Sequence, residues 1–395
     1  ISNKERVNSA RVRPLSYKIT PDCVGDTVTF SLSHPRNLSV EVNGDIFHNL
    51  HLFANPIDKF RPSDKEIKRA LKKKKGSNLI YFGPGVHNLP NDTLFVPSGT
   101  TVYIDGGARV YGNIFTEGAH DVNIFGRGEV HPDGRGAGVW VRRSKNVRID
   151  GIVVSQLPIG QCDSVELTNV KSISYYGWGD GMDVFSSSNV ILDGVFCRNS
   201  DDCTAVYAST QGFKGGSNNV LVKNATLWAD VAHPINIGGH GDPNGMDTVQ
   251  NVTFRNIDIL DQAENQIDYQ GCLAINPGDN TLVRNITFEN IRIEDFRNGQ
   301  LVNFRISFNP KYCVSTGRGI HNVLVKDVTY NGSGENLSII AGYDENHKIS
   351  GIRFVNLVVN GRKITDDMPG KPKWYKTGDM AGIFIGEHVE NISFE

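Results

Sequence analysis

Three aspartates stand out by their type and spacing. Asp180 lies 21 positions before the adjacent pair Asp201 and Asp202. If one structural repeat is roughly 21 to 25 residues long, Asp180 and Asp201 occupy equivalent places on successive repeats, about 4.8 Å apart like neighbouring strands. Carboxylates this close repel each other, which raises the pKa of at least one and leaves a protonated acid beside an ionised base. Such a set of groups can hydrolyse a glycosidic bond.

Two histidines follow the aspartates and are candidate substrate-binding residues. His240 stands between glycines in the segment Gly239–Gly241, and glycines let the backbone approach a ligand closely. Its imidazole could hydrogen-bond Asp201 or a sugar hydroxyl and so tune the acid. His233 lies on the same coil, where a solvated side chain and a site residue are equally good interpretations.

Aromatic and basic side chains are candidates for binding the sugar rings. Trp178 and Tyr207 lie close in sequence to the aspartates, as do Tyr175 and Tyr176. Such rings can stack on pyranose faces, although each of them could equally pack in the core. Arg305 stands at the end of a later repeat and is the basic residue that could reach the cleft, two coils from the aspartate pair.

A recurring phrase of about nine residues indicates the elements that must position these side chains. In each copy apolar and polar residues alternate and then resume after an Asn, Asp or Gly, as in two short strands separated by a tight bend. From the second copy onward the copies start 29 to 37 residues apart, which is the spacing of a solenoid. The copies begin at Asn146, Asn189, Asn219, Asn251, Asn285, Asn322 and Gly351.

These repeats predict an all-β fold, namely a right-handed parallel β-helix over residues 78–395. Helical periodicity is nearly absent there and β-branched residues dominate the repeats, so stacked strands form the unit. A β-propeller is the alternative, but its antiparallel blades usually carry Asn-Gly hairpin signals, which are sparse in this sequence.

Two shorter regions precede the predicted β-helix. Residues 1–62 contain the alternating segments "LSYKI", "DTVTFSL", "LSVEVNG" and "NLHLFANP" and predict a small antiparallel β-sandwich. Residues 63–77 predict a connecting helical linker, because Ser63 and Glu66 have the spacing of a capping box. The run Lys72–Lys75 is better interpreted as a solvated helix end than as a polyanion site.

Composition excludes several classes of partner. The chain has 395 residues, with 41 Lys and Arg against 43 Asp and Glu, so its charge gives no reason to expect nucleic acid or an anionic membrane. It contains no apolar run of the roughly 18 residues that a membrane helix needs. The six cysteines lack C-x-x-C spacing, which favours buried thiols over a zinc site or a disulfide framework. We expect a monomer without metal or cofactor.

The start of the sequence, "ISNKERVNSARV", has neither a Met nor the apolar region of a signal peptide. This favours a processed chain whose targeting segment has been removed. We expect a secreted or periplasmic protein.

The order of the acidic and histidine segments resembles the polygalacturonases, glycoside hydrolase family 28. The matching segments are Gly179–Asp183, Ser200–Cys203 and Gly239–Gly241. The first family motif usually begins Asn-Thr-Asp, whereas this chain has Trp178 and a glycine before Asp180. A fourth family motif, Arg-Ile-Lys on the coil after the His, binds a uronate carboxylate. The corresponding stretch here, "GCLAINP", has no basic residue, which favours a neutral sugar next to the cleaved bond.

The overall layout is similar to the dextranase and isopullulanase family, glycoside hydrolase family 49. The segments "LFANPID", "YFGPGVH", "NGQLVNFRI" and "LVVNGRKIT" carry this likeness, which implies a β-sandwich before a β-helix. Both families imply an inverting mechanism. Carried onto this chain, the resemblance makes Asp201 the general acid, while Asp180 and Asp202 hold and deprotonate the attacking water.

The sequence thus predicts an inverting glycoside hydrolase acting on an α-linked polysaccharide or oligosaccharide. A polysaccharide lyase is one alternative, but it needs a Lys or Arg base, and the segments around Asp180 and Asp201 have none. A non-catalytic carbohydrate-binding solenoid is the other. We expect the loops "QAENQIDYQG" and "NPKYCVSTGRG" to wall the cleft. For inversion the catalytic carboxyls should lie about 6.5 to 9.5 Å apart.

Overall fold

The computed structural model describes residues 6–72, 76–132, 134–333 and 335–395. The chain divides into two compact units, one ending at Lys59 and the other beginning at Phe60. A search of the described residues finds no helix that is long and apolar enough to cross a membrane.

The first unit contains two antiparallel sheets. Its strands are β1 (Ala10–Arg13), β2 (Asp22–Val24), β3 (Thr27–Thr29), β4 (Arg36–Val42) and β5 (Asp45–Ala54). β4 pairs with β1 on one side and with β5 on the other, and β2 pairs with β3. Val12, Leu38 and Val40 form the apolar core of this unit. These sheets form the small antiparallel β domain that the alternating segments predict.

The segment "LSYKI" is not a strand, contrary to its alternating pattern. Leu15–Tyr17 forms one turn of 3-10 helix. Lys18 has a φ of 53°, a left-handed conformation that interrupts extended backbone. Its N–H donates to the Leu15 carbonyl at 3.0 Å, so the polar groups of this segment are satisfied locally.

A short helix, α1 (Asp64–Leu71), opens the second unit. The Ser63 hydroxyl accepts a hydrogen bond from the Glu66 N–H at 3.4 Å, and the Glu66 carboxylate accepts one from the Ser63 N–H at 2.8 Å. The predicted capping box is therefore confirmed. Of the predicted cationic run, Lys73–Lys75 lies outside the described residues.

The rest of the second unit is built almost entirely from short strands, with one further helix, α2 (Thr377–Met380). The strands are β6 (Leu79–Phe82), β7 (Gly85–Phe95), β8 (Thr101–Ile104), β9 (Ala108–Glu117), β10 (His120–Gly126), β11 (Glu129–His131), β12 (Val139–Arg142), β13 (Lys145–Asp150), β14 (Val153–Val154), β15 (Ile159–Gly160), β16 (Asp163–Thr168), β17 (Lys171–Ile173), β18 (Met182–Phe185), β19 (Ser188–Asp193), β20 (Phe196–Asn199), β21 (Thr204–Tyr207), β22 (Ser217–Lys223), β23 (Thr226–Ala229), β24 (Ile235–Ile237), β25 (Thr248–Gln262), β26 (Leu273–Ile275), β27 (Leu282–Ile293), β28 (Gly299–Gln300), β29 (Val302–Arg305), β30 (Gly319–Tyr330), β31 (Glu335–Asn336), β32 (Ser338–Ala341), β33 (Lys348–Val355), β34 (Leu357–Val359), β35 (Arg362–Ile364), β36 (Ile383–Ile385) and β37 (Val389–Phe394).

The strands stack in three parallel ladders. The first ladder runs from β6 through β8, β10, β13, β16, β19 and β22 to β33 and β37, using the first halves of β25, β27 and β30. The second runs from β7 to β34 and includes β17, β20 and β23. The third runs from β7 to β36 and includes β18, β21, β24, β26 and β29. The predicted right-handed parallel β-helix is confirmed.

The repeated phrases owe their shape to residues in the left-handed conformation. Every phrase begins with one, such as Asn189 (φ 58°) and Asn285 (φ 56°), and every phrase bends at a second one, such as Gly194 (φ 67°) and Asn290 (φ 55°). Asn and Gly tolerate this conformation better than other residues. The bends are therefore fixed by residue type, which is why they could be predicted from the sequence.

One continuous apolar core fills the β-helix. It includes a stack of rings in which Phe288 lies 5.7 Å from Phe254 and 6.0 Å from Phe304, measured between ring centroids. All six cysteines are free thiols, as predicted. Four of them, Cys162, Cys197, Cys203 and Cys272, are buried.

Candidate active site

The three aspartates lie where two neighbouring coils enter the third ladder. Met182 of β18 pairs with Thr204 of β21, so the register between these coils is 22 residues. Asp180 is therefore level with Asp202, and Asp201 stands one position earlier. Between the coils, the Gly181 N–H donates to the Asp202 carbonyl at 2.7 Å. The predicted spacing of 21 residues places the cluster on the right coils but is one residue short.

Two glycines let these coils come close enough to gather the carboxylates. A Cβ on Gly181 would lie 2.2 Å from the Cys203 carbonyl oxygen, and one on Gly179 would lie 2.5 Å from the Ser200 hydroxyl. Below this turn, the fully buried Asn199 donates a hydrogen bond to the Asp180 carbonyl at 3.2 Å. The backbone around Asp180 is thus held from below.

The side chains of the three aspartates form one cluster. One carboxylate oxygen from each of Asp180, Asp201 and Asp202 lies within 4.8 Å of the other two. Asp202 is buried, whereas Asp180 and Asp201 are half-buried. The cluster combines one enclosed carboxylate with two that solvent or substrate can reach.

Asp202 is surrounded by hydrogen-bond donors. Its Oδ1 accepts from the N–H and the Nδ1 of His233 at 3.1 and 2.7 Å, and its Oδ2 accepts from the Tyr207 hydroxyl at 2.7 Å and the Asn236 amide at 2.8 Å. Burial alone would raise the pKa of Asp202, but the attraction of His233 and these hydrogen bonds outweigh it and hold the pKa below its usual range. An ionised carboxylate has about four lone-pair sites, so every site of Asp202 is taken.

Asp180 and Asp201 are shifted in the opposite direction. Burial, followed by the charge of Asp202, raises the pKa of Asp201 to about 7. Burial also raises the pKa of Asp180 well above its usual range, with the charges of Asp201 and Asp202 as the next causes. Because two of the three groups resist ionisation, the cluster retains a proton near neutral pH beside an ionised Asp202.

The histidine that contacts the aspartates is His233, not His240. His233 precedes Ile235 of β24, which pairs with Thr204, so it is level with Asp180 and Asp202 on the next coil. His240 lies further along the chain, with its ring edge against Tyr207 at a centroid distance of 5.0 Å. Burial lowers the pKa of His240. The hydrogen bond that the sequence assigned to His240 is made by His233, and to the second aspartate of the pair.

The four predicted aromatic residues have different environments. Tyr207 is buried, stacked on Phe185 at 5.8 Å, and donates to Asp202, so it supports the carboxylate and is not a free wall. The Tyr176 hydroxyl bonds the Gly136 carbonyl. Trp178 is 77% exposed and Tyr175 is 87% exposed. Trp178, two residues before Asp180, is therefore available to a ligand.

The two loops expected to wall the cleft do meet, through residues that the sequence had not singled out. The Tyr269 and Tyr312 rings contact edge to face at 5.1 Å, and the Asn309 amide donates to the Tyr269 hydroxyl at 2.9 Å. The Tyr269 ring also lies 6.2 Å from the ring of His233. Only the three-dimensional structure brings these tyrosines to the aspartates, because they lie more than 60 residues away in the sequence.

Asp183 is a second residue that the sequence analysis did not assign. It lies on β18 between Met182 and Val184, which point into the core, so alternation turns Asp183 outward. It is buried, and its Oδ1 has no hydrogen-bond partner among the described residues. Burial first, and then the charges of Asp180 and Asp202, raise its pKa well above the usual range.

Arg305 lies further from the aspartates than expected. The third ladder passes from β21 through β24 and β26 to β29, so Arg305 is three coils from Asp201 rather than two. Its guanidinium bonds the carboxylate of Asp268. The intervening coil carries Ala274 and Asn276, which leaves the coil after His233 without a cation, as "GCLAINP" indicates.

Two clusters have side chains close enough to hold a metal ion. One is the aspartate cluster itself. In the other, one ligand atom from each of His240, Asp279 and Cys313 lies within 4.8 Å of the others. The protein supplies partners to two of these: Asp279 accepts from the Val314 N–H at 2.7 Å, and the Cys313 thiol donates to the Gly239 carbonyl at 3.3 Å. This second cluster therefore has a structural explanation without a metal.

Comparison with known proteins places this geometry in a family. Residues 139–368 match the sequence profile of glycosyl hydrolases family 28, and this range contains the three aspartates, His233 and Arg305. The chain belongs to glycosyl hydrolases family 28. It is 26% identical over 291 residues to a probable exopolygalacturonase X of Aspergillus fumigatus, a match that covers 68% of this chain and 58% of the relative. The chain spans about half the length of the curated relatives it matches first.

Solved structures share the fold of this family 28 chain. The family 28 exopolygalacturonase of Yersinia enterocolitica aligns with a TM-score of 0.59 at 13% identity, covering 93% of this chain and 85% of that one. Dex49A from Penicillium minioluteum aligns with a TM-score of 0.64 at 14% identity, covering 98% of this chain and 79% of that one. The second alignment agrees with the family 49 layout expected from the sequence.

Proposed function

We propose that this protein is an inverting glycoside hydrolase that cleaves an α-linked polysaccharide of the galacturonan class. The observation that carries the proposal is the aspartate cluster, in which an ionised, fully hydrogen-bonded Asp202 lies within 4.8 Å of two carboxyls with raised pKa values. Membership of family 28 and the polygalacturonases among the relatives support the substrate class.

In this mechanism Asp201 is the general acid. Its pKa of about 7 keeps it largely protonated below neutral pH, so it can donate a proton to the leaving oxygen of the glycosidic bond. Asp180 is the base that orients and deprotonates the attacking water. Since the charge of Asp201 is one cause of the raised pKa of Asp180, protonation of Asp201 removes that cause and favours ionised Asp180.

Asp202 takes a different part from the one expected from the resemblance. A water held by Asp202 would have to displace one of its four donors, because no lone-pair site is left. We therefore assign Asp202 to a positioning and electrostatic role: its negative charge raises the pKa of Asp201. His233, Tyr207 and Asn236 keep that charge in place.

The spacing of the carboxylates differs from the sequence-based expectation. An inverting enzyme with opposed carboxyls separates them by about 6.5 to 9.5 Å, whereas one oxygen of each aspartate here lies within 4.8 Å of the others. The aspartates project from neighbouring coils of the same ladder and do not face each other across a cleft. Their separation therefore does not report the space left for a water on the far side of the sugar, and inversion needs a direct test.

Proton NMR of the first product tests the stereochemistry. An α-linked oligogalacturonide should give an initial product in the β configuration, which then mutarotates. An initial α product would overturn inversion. A product with an unsaturated end that absorbs ultraviolet light would instead indicate a lyase, and no product at all would favour a binding solenoid.

The sugar beside the cleaved bond is proposed to be uncharged, because Ala274 and Asn276 offer no cation on the coil after His233. The panel should include homogalacturonan, its methyl ester and dextran. Preference for the ester or dextran supports this subsite assignment, and preference for fully acidic homogalacturonan contradicts it. We also propose that the protein acts as a monomer outside the cytoplasm, where polysaccharides too large to enter a cell are found.

A further inference from the structure

One cation stands on the outward face of the third ladder near the aspartates. Phe185, Ala205 and Tyr207 form an apolar cluster separate from the interior core, which identifies the outward positions of the ladder. Following these positions along five coils gives two rows, all of described residues, in which Arg305 is the only cation. The rows are Asp183, Ala205, Asn236, Ala274 and Asn303, and Phe185, Tyr207, Gly238, Asn276 and Arg305.

Arg305 is paired but accessible. Its guanidinium bonds Asp268 of the 3-10 turn Ile267–Tyr269, and the two side chains are 30% and 54% exposed. The same turn carries Tyr269, whose ring lies 6.2 Å from that of His233. The ion pair therefore belongs to the wall that begins at the aspartate cluster. Three coils at about 4.8 Å each place Arg305 about 14 Å along the ladder from Asp201.

We propose that Arg305 binds the carboxylate of a uronic-acid unit a few sugars from the cleaved bond, and that Asp268 competes for Arg305 and so sets the preference between acidic and neutral sugars. This inference rests on the proposed function, since it assigns a subsite to the same cleft. A guanidinium can receive a carboxylate through two parallel hydrogen bonds.

Asp268 acts as a built-in competitor in this proposal. While it is paired, Arg305 presents little net charge, so a neutral sugar meets no unpaired cation. A substrate carboxylate must displace Asp268, and exposed ion pairs are weak enough for this to happen. Once displaced, the Asp268 charge remains close and repels the substrate. Removing that charge should therefore favour acidic sugars alone.

The experiment measures binding in an Asp201→Asn background, so that no substrate is consumed. The ligands are an α-1,4-linked galacturonic acid oligomer and its methyl ester, which differ only in charge, titrated calorimetrically at low ionic strength. Asp268→Asn should tighten binding of the acid roughly two- to fivefold, as expected for one exposed charge pair, and leave binding of the ester unchanged. Adding Arg305→Gln should abolish the gain.

The chain offers a matched control. Lys348 and Glu390 form an ion pair on the first ladder with nearly the same exposures, 32% and 53%, so Glu390→Gln removes an equivalent charge from another face. It should not change the affinity for either oligomer. Equal gains for acid and ester, a gain that survives Arg305→Gln, or no gain with Asp268→Asn would each overturn the proposal.

Hydrolysis by the protein with Asp201 intact separates this inference from the function on which it rests. If galacturonan is cleaved but Asp268→Asn leaves the ratio of acid to ester affinity unchanged, the inference is wrong and the function stands. If no glycan is cleaved but the affinity ratio shifts as expected, the proposed function is wrong and the ion pair still selects the sugar charge.

Discussion

Asp202 receives four hydrogen bonds, whereas burial and neighbouring charge raise the pKa values of Asp180 and Asp201. This difference divides three chemically identical side chains into an ionised anchor and two groups that share a proton. The division follows from their places on the coil: Asp202 points towards the next coil, where His233 and Asn236 lie.

The pH dependence of activity should report the acid. Because Asp201 must be protonated to act and its pKa is about 7, kcat/KM should fall as the pH rises through about 7. The profile of kcat/KM from pH 4 to 10 on the best substrate of the panel measures this, with circular dichroism at each pH to monitor folding. An activity that stays constant up to pH 9 would contradict the assignment.

Asp183 should make stability depend on pH. Its folded-state pKa is raised, so its contribution to stability is fully present below the unfolded pKa of about 4 and is lost as the pH rises through the folded value. Asp183→Asn removes this loss. Denaturation at pH 5 and pH 8 should show the variant gaining in free energy of unfolding relative to the native chain at the higher pH. An equal difference at both values would refute the argument.

The sequence could predict the aspartates but not all their partners. The residue types and near-equal spacing of Asp180, Asp201 and Asp202 are visible in one dimension. Which histidine faces them is not, because His233 and His240 lie on the same coil and only the pairing of Thr204 with Ile235 selects the first. Tyr269 reaches the site through a loop whose path no spacing rule describes.

At the scale of elements, asparagine side chains link the coils along the first ladder. The Asn285 amide donates to Asn251 at 3.1 Å, and Asn285 accepts from Asn322 at 3.3 Å. Each of these residues also has a positive φ. One residue type thus satisfies two needs of a coil, the left-handed bend and a hydrogen bond to its neighbour.

Asn285→Ala and Asn285→Gly separate these two needs. Both lose the side-chain hydrogen bonds, but only alanine is strained at a φ of 56°, a difference of about 1–2 kcal/mol in the free energy of unfolding. The urea midpoint should therefore fall further for the alanine variant than for the glycine variant. Equal midpoints would show that backbone conformation does not decide the residue at this bend.

The same reasoning explains which coils the sequence identified. Phrases beginning with Asn were recognised as repeats, but the coil with Ser164 (φ 61°) and the coil with Asp121 (φ 56°) use other residues in the same conformation. Strand pairing places them in register with Asn146. Repeats whose first residue changes type escape a search that follows the letter and not the backbone.

At the scale of the whole molecule, the boundary between the units can be placed more closely than the sequence allowed. The sequence put the end of the first domain at residue 62, whereas the compact units divide after Lys59. Within the second unit the Phe60 ring stacks on Phe125 at a centroid distance of 4.2 Å, and the Arg148 guanidinium lies 5.6 Å from the Phe60 ring.

Two fragments test this boundary. Residues 60–395 and residues 63–395 both retain the β-helix core, but the shorter fragment loses the Phe60 contacts, which we expect to stabilise the unit by about 1–3 kcal/mol. The thermal midpoint should therefore be higher for the fragment that begins at Phe60. The same midpoint for both would mean that residue 63 is an equally good start.

The most direct test of the account is the turnover of Asp201→Asn on the best substrate of the panel. The side chains are nearly isosteric, so the variant should fold and bind as before, while kcat falls by about 10² to 10⁴ through loss of the general acid. Asp163→Asn, which changes an aspartate of the first ladder that accepts a hydrogen bond from Asn189 at 2.8 Å, is the control and should retain its kcat. Asp201→Asn turning over at the native rate, with saturated reducing ends as product, would contradict the central claim that this cluster performs the hydrolysis.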